Sequence, residues 1–396
     1  MRFVPLIPGW AQLRSRCAYT FTNPGRGSDD SAAGGILRAM QTDVPPGIHY
    51  ENVSRFFAEN VPGGDQELRF ELLSGGRSNL TYKVIAPDRV WVMRRPPLGH
   101  VLPTAHDMAR EYRVLTGLNN TDVPAPRTYA LCEDPEVNEY PFYVMDHKEG
   151  VVIGETLPDG YATTPEERRR MSLALVDALV KLHAVDYEAV GLGDFGRPQG
   201  YLERQVRRWS EQWERSKTRE LPEVDELIRR LNAALPESPA PAIVHGDYRF
   251  GNMMLNPDDP GKVEAILDWE MATLGDPLAD LGYTFIFWGN QDDPPERLDA
   301  RSISKITAQE GFLSREELAG AYQERSGRST ENIHYYEVLA YYKLAIITEG
   351  IWARHLQGKT VGEGYEGMGQ STVNLVHQAL AVADESPDPR LRGEKG

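Results

Sequence analysis

The stretch HGDYRFGNMMLNPDDPGKVEAILDWE, residues 245–270, sets a histidine, an acid and an amide at close spacing ahead of an apolar run. After Asn252 the chain reads as a strand, a turn over NPDDPG, and a second strand ending at Asp268, because a cluster of turn residues separates two β-prone runs. A hairpin of that kind returns Asp268 to the level of the loop that holds Asp247 and Asn252, so three oxygen-bearing side chains converge. A hard cation such as Mg²⁺ takes oxygen ligands and keeps positions for water and substrate phosphates. Asn252 and Asp268 suit such a cation, while Asp247, left free of it, can accept a proton from a hydroxyl. Phosphoryl transfer needs this division of labour, since the protein's task there is positioning and charge neutralisation.

Outward from this stretch the texture of the chain changes once. Residues 67–145 carry strand signals (LRFELLS, NLTYKVIA, RVWVMRR, PRTYALC, YPFYVMD), interrupted by one helical pattern, HDMAREYRVLTGL at 106–118. From about 163 the pattern is mostly helical: Thr163 or Thr164 caps a helix striped by Met171, Leu175, Leu179 and Leu182, and later helices are expected over 222–235, 277–288, 315–325, 335–356 and 368–383. Asp276 and Pro277 read as an N-cap and a first helical residue, with Asp280 in the first turn. The fold class is α+β in two lobes: a small antiparallel sheet with one helix over 46–147, then a larger, mostly helical lobe over 148–385. Residues 1–45, rich in Gly, Pro, Ser and Asp, read as a poorly ordered arm, and 386–396 as a frayed tail.

Composition narrows the function classes. The 396-residue chain has a formal net charge of -16, which repels a phosphate backbone, and it has no basic patch in sequence to override that field. The Arg/Lys-rich run ERQVRRWSEQWERSKTR, 203–219, is interleaved with glutamates, and Trp209 and Trp213 lie four apart, as on the buried face of an amphipathic helix. Nucleic acid is therefore not an expected partner. Cys17 and Cys132 are too few for a disulfide framework, no run suits a membrane span, and the opening MRFVPLIPGW is broken by two prolines, unlike a secretory signal. A soluble, cytoplasmic protein is expected. The histidines show no zinc spacing.

HGDYRFGNMML together with ILDWEMATLGDPLADLGY resembles the aminoglycoside phosphotransferase and choline kinase group of kinase-like small-molecule phosphotransferases. More narrowly, it resembles the phosphotransferase-like proteins related to a domain fused to some acyl-CoA dehydrogenases. The spacing is also that of the kinase catalytic loop H-x-D-x-x-x-x-N with a later metal-binding Asp. The resemblance implies a protein-kinase-like two-lobe fold, ATP and Mg²⁺ as cofactors, and a hydroxylated small molecule as acceptor. Asp247 is then the catalytic base, Asn252 and Asp268 the metal ligands, and His245 a structural residue that holds the catalytic loop against the metal-binding segment.

Further residues follow from the same resemblance. LSGGRSNLTYKV, 73–84, stands where a phosphate-covering loop belongs, with Gly75 and Gly76 allowing close backbone approach and Arg77, Ser78 and Asn79 able to contribute contacts; without the family it reads as an ordinary hairpin turn. Arg94, in WVMRRPP, occupies the place of the kinase lysine, with Arg95 the competing choice, and Glu111 is the carboxylate to pair with it. The hinge around Met145 to His147 meets adenine through backbone groups. The helix over 335–358, which mixes Tyr342, Glu349 and Trp352 with Arg354 and His355, lines the acceptor cleft, although its aromatics suit core packing equally well. The competing reading is a catalytically inactive nucleotide-binding or regulatory module that keeps the fold.

Overall fold

The computed structural model describes residues 44–75, 79–98, 107–298, 302–360 and 364–394. Residues 1–43 of the expected arm, and Gly76, Arg77 and Ser78 of the expected phosphate loop, lie outside them. The architecture is the expected α+β arrangement of a small sheet and a larger helical lobe.

Five antiparallel strands, β1 (Arg69–Gly75), β2 (Leu80–Ile85), β3 (Val90–Arg95), β4 (Thr128–Cys132) and β5 (Phe142–Asp146), form the sheet in the order β1-β2-β3-β5-β4. Alternation along each strand sends successive side chains to opposite faces. Trp91, Met93, Phe142 and Val144 pack under a preceding helix, α1 (Tyr50–Asn60), whose Phe57 meets Phe70 and Trp91 edge-on with ring centres 6.2 and 5.9 Å apart. This helix buries only Val53 and Phe57, a stripe too narrow to stand out in sequence. Val92, Tyr143 and Met145 face the other way, onto α2 (Met108–Leu118), and join a core that continues into the helical lobe. Each such side chain contributes about 1.5–3 kcal/mol on full burial, so the second face of the sheet ties the lobes together.

In the second lobe α3 (Pro165–His183) starts from a capping box, with Thr164 Oγ1 accepting from Glu167 N at 3.2 Å, and buries Met171, Leu175, Leu179 and Leu182 completely. The tryptophan pair marks α4 (Tyr201–Ser216), followed by α5 (Pro222–Ala233). The chain then makes β7 (Ala242–Val244), the hairpin of β8 (Met253–Leu255) and β9 (Val263–Ile266), β10 (Thr273–Gly275) and α6 (Leu278–Phe285). The hairpin turn is set by Asn256, whose side-chain oxygen accepts the N–H groups of Asp258 and Asp259 at 2.9 and 3.0 Å. A two-residue strand after the hinge, β6 (Val151–Val152), pairs with β8. A Cβ on Gly150 would lie 2.7 Å from Leu255 O, so only glycine lets the hinge lie this close to the hairpin.

The last three long helices are α7 (Arg315–Ser326), α8 (Ile333–Leu356) and α9 (Met368–Asp384). Helix α8 is apolar on nearly every side and runs through the lobe's centre against α4, α6 and α9. In the tail expected to fray, Leu391 is buried in the core and Arg392 Nη1 donates to Ser386 O at 2.7 Å. Composition hides one apolar anchor of this kind in a polar run. Among the described residues, no helix is long and apolar enough to cross a membrane.

Candidate active site

The loop after β7 carries Asp247, and three contacts fix it. Asp280, fully buried in the first turn of α6, accepts the N–H groups of His245 and Gly246, each at 2.7 Å, and faces His183 Nε2 at 3.3 Å. Burial lowers the pKa of His183 below that of a free histidine, and Tyr322 Oη lies 2.8 Å from its Nδ1. Gly246 has φ +84°, and a Cβ there would meet Met271 O at 2.8 Å, so the middle residue of the triplet has to be glycine. His245 Nδ1 accepts from Asp247 N at 3.2 Å while Nε2 lies 2.9 Å from Leu267 O, which requires the proton on Nε2. The ring thus joins the Asp247 loop to the segment carrying Asp268.

Both oxygens of Asp247 are held: Oδ1 accepts from Arg249 Nε at 3.2 Å and Oδ2 from Asn252 Nδ2 at 2.7 Å. Asn252 also donates to Asp247 O at 2.8 Å, which leaves its side-chain oxygen as a hard ligand. The hairpin returns as expected, with Leu267 N donating to Asn252 O at 2.8 Å, so Asp268 follows directly beside the loop. Asp268 has φ +66°, a left-handed conformation that costs a non-glycine residue about 1–3 kcal/mol and persists only where the surroundings enforce it. Asn252 and Asp268 present oxygen atoms of the kind Mg²⁺ takes as ligands; among the described residues no group of three or more His, Cys, Asp or Glu forms a closed metal cage.

From the sheet, Arg94 enters this site and Arg95 does not. Arg94 Nε lies 3.1 Å from Glu111 Oε2, and its Nη2 donates to Asp268 Oδ1 at 2.8 Å. Strand alternation turns Arg95 to the opposite face, where it is buried over Tyr140 and bonds Gly47 O. Burial works to lower the pKa of Arg94, but Glu111, Tyr143 and Asp268 outweigh it and hold the group well above its ordinary value. Glu111, 2 % exposed, also accepts from Asn79 Nδ2 and Tyr143 Oη, each at 3.0 Å. Burial pushes its carboxyl up to about 7 against the opposing pull of Arg94.

Other expected residues stand differently. One N–H of the Asn79 amide is donated to Glu111 Oε1. Gly75 closes β1 opposite Leu80. Met145 is buried on the second face of the sheet, so only its backbone is at the hinge; His147 is half-buried there, and burial lowers its pKa. Asp276 caps from one residue further out than expected: Pro277 is the cap residue, and Asp276 Oδ1 accepts from Leu278 N at 3.1 Å. In α8, Tyr342 is core and bonds Ser210 at 2.9 Å, and Glu349 is buried on Thr218. Trp352, His355 and Tyr365 form a stack of their own.

Two residues that the sequence reading passed over belong to the site. Arg249 grips Asp247 and stacks over Phe287 at 5.0 Å. Lys343 Nζ donates to Gly246 O at 2.8 Å and lies 4.7 Å from the centre of the Tyr283 ring. A signal for the latter existed: Lys343 is the one charged residue between Glu337 and Glu349 on an otherwise apolar helix.

A model of the phosphotransferase enzyme family matches residues 69–308. Acyl-CoA dehydrogenase family member 11 of Gallus gallus is 32 % identical over 345 residues, which cover 84 % of this chain and 43 % of that protein. The chain thus spans less than half the length of that relative. Among solved structures, an aminoglycoside phosphotransferase assigned in Ralstonia eutropha JMP134 superposes with a TM-score of 0.73 at 32 % identity, covering 85 % of this chain and 99 % of the other. Choline kinase of Cryptosporidium parvum Iowa II superposes with a TM-score of 0.58 at 13 % identity over 86 % of this chain and 97 % of its own, a likeness of fold.

Proposed function

Since the chain belongs to the phosphotransferase enzyme family, we propose that it transfers the γ-phosphate of ATP to a hydroxyl of a small molecule, with Asp247 as base. Asp247 accepts the hydroxyl proton, the acceptor oxygen bonds to the γ-phosphorus, and the bond from that phosphorus to the β–γ bridging oxygen breaks to release ADP. The observation that carries this reading is the convergence of Asp247 and Asn252 from one loop, Asp268 from the returning hairpin and the Arg94–Glu111 pair from the sheet. Asn252 and Asp268 would hold Mg²⁺, which when bound neutralises phosphate charge. Arg94, oriented by Glu111, supplies a forked donor for phosphate oxygens in place of the usual lysine. The backbone at Met145 to His147 would receive adenine. Kinship with an acyl-CoA dehydrogenase family member favours an acyl-linked, hydroxylated acceptor over an antibiotic.

Asp247→Ala is expected to abolish ADP release while ATP affinity, measured by calorimetric titration with Mg²⁺, stays nearly that of the unaltered protein. Undiminished turnover in this variant would remove Asp247 from the mechanism. The second reading, a nucleotide-binding module without transfer, draws on the direct hold of Arg94 on Asp268. It predicts Mg²⁺-dependent ATP binding with no ADP release for any hydroxylated acceptor.

A further inference from the structure

The face of α4 away from the core mixes Glu203, Glu211 and Glu214 with Arg207, Arg208 and Arg215, and arginines predominate where it borders a cleft. Trp209 and Trp213 are buried, while Arg204, Arg207 and Arg208, with Arg197 from the preceding loop, line a cleft of about 410 Å³ that Thr273 and Leu274 also border. One carboxylate, Glu211, shares this lining. Among the described residues Arg197, Arg207 and Arg208 have no ion-pair partner, and the Arg204 guanidinium is held by the backbone carbonyls of Gln199 and Arg197. A second, smaller recess shares Tyr201 and Gln205 with the cleft and reaches Lys343, Tyr283 and Gly246, the residue before Asp247. The arginines of α4 and Lys343 beside the Asp247 loop thus border two recesses that share two lining residues, in a chain whose net charge is -16.

Four guanidinium groups gathered around a concave volume with a single carboxylate raise the local potential and present paired donors that match carboxylate or phosphate oxygens. A cationic acceptor would be repelled from this cleft. We propose that the cleft along α4 is an anion subsite for the acceptor, which presents its hydroxyl at Asp247 and a phosphate ester or carboxylate to Arg204, Arg207 and Arg208. The assignment of the bound anion to the acceptor rests on the phosphotransferase reading above.

The test is calorimetric titration of inorganic pyrophosphate and of glutarate into the full chain with its nucleotide site filled by Mg²⁺ and the ATP analogue AMP-PNP. At least one anion is expected to bind, more weakly as salt is raised, and to lose affinity roughly tenfold in Arg207→Gln/Arg208→Gln. Both side chains are exposed, so the fold should survive, and Arg197→Gln, from a separate segment, should give a smaller loss. Tighter pyrophosphate assigns a phosphate ester; tighter glutarate assigns a carboxylate. No binding of either anion, or equal binding in the double variant, overturns the subsite. Failure of AMP-PNP itself to bind would instead sink the phosphotransferase reading, and the same titrations without nucleotide would then judge the cleft alone.

Discussion

Burial moves the chemistry of Glu111 well away from that of a carboxylate in water. Its carboxyl, pushed up to about 7 by burial, binds a proton in the folded chain over a range where the unfolded chain has lost it. The folded state therefore holds more protons than the unfolded between about pH 4.5 and 7, and this group's contribution to stability falls as pH rises through that window. Glu111→Gln keeps the size and removes the titration. Its stability relative to the unaltered protein, from urea unfolding at the two ends of the window, should improve toward neutral pH by at most about 3 kcal/mol. An unchanged difference would mean that Arg94 keeps the carboxylate ionised throughout. Much of this cluster was legible as residues: Asp247 bonds Asn252, and Arg94 bonds both Asp268 and Glu111. Arg249 was not, because an arginine two positions past an acid carries no periodic signal.

At the scale of elements, the loop that carries Asp247 is held by the start of a helix. The carboxylate of Asp280 takes two consecutive backbone N–H groups at 2.7 Å, which places Asp247 without using its side chain. Asp280→Asn keeps one acceptor and turns an amide N–H toward a buried donor, leaving a polar group unsatisfied at a cost of about 1–3 kcal/mol. The expected outcome is that stability in urea falls by that amount and ADP release falls roughly a hundredfold through misplacement of the loop, with ATP affinity nearly unchanged. Loss of stability with full activity would mean that the loop keeps its shape without this anchor. The helices of the second lobe were legible where an apolar stripe met a capping residue, as in α3. The first helix, α1, was not, since only two of its side chains are buried.

Across the whole molecule, Arg94 and Asp268 lie 174 residues apart and meet at 2.8 Å, so the sheet and the helical lobe close on one charge cluster. A nucleotide that binds only this folded arrangement stabilises it by mass action, about 2.7 kcal/mol at a hundred times its Kd. Thermal unfolding should therefore shift upward with ATP and Mg²⁺, less so in Asp268→Asn; an equal shift in both would separate Asp268 from the metal. What the sequence determined by itself was local and chemical: hydrophobic periods mark strands and helices, turn residues mark the hairpin, and the spacing of Asp247, Asn252 and Asp268 marks the chemistry. Tertiary structure alone decided which side chains are spent on one another and which remain for a ligand. Tyr342 and Glu349 became core, Asn79 gave one N–H to Glu111, and the arginines of α4, which look in sequence like an ordinary solvated face, came to line a cleft beside Lys343. The reason is physical: periodicity records which side of an element is buried, whereas the partner met on either side comes from chain segments far away in sequence.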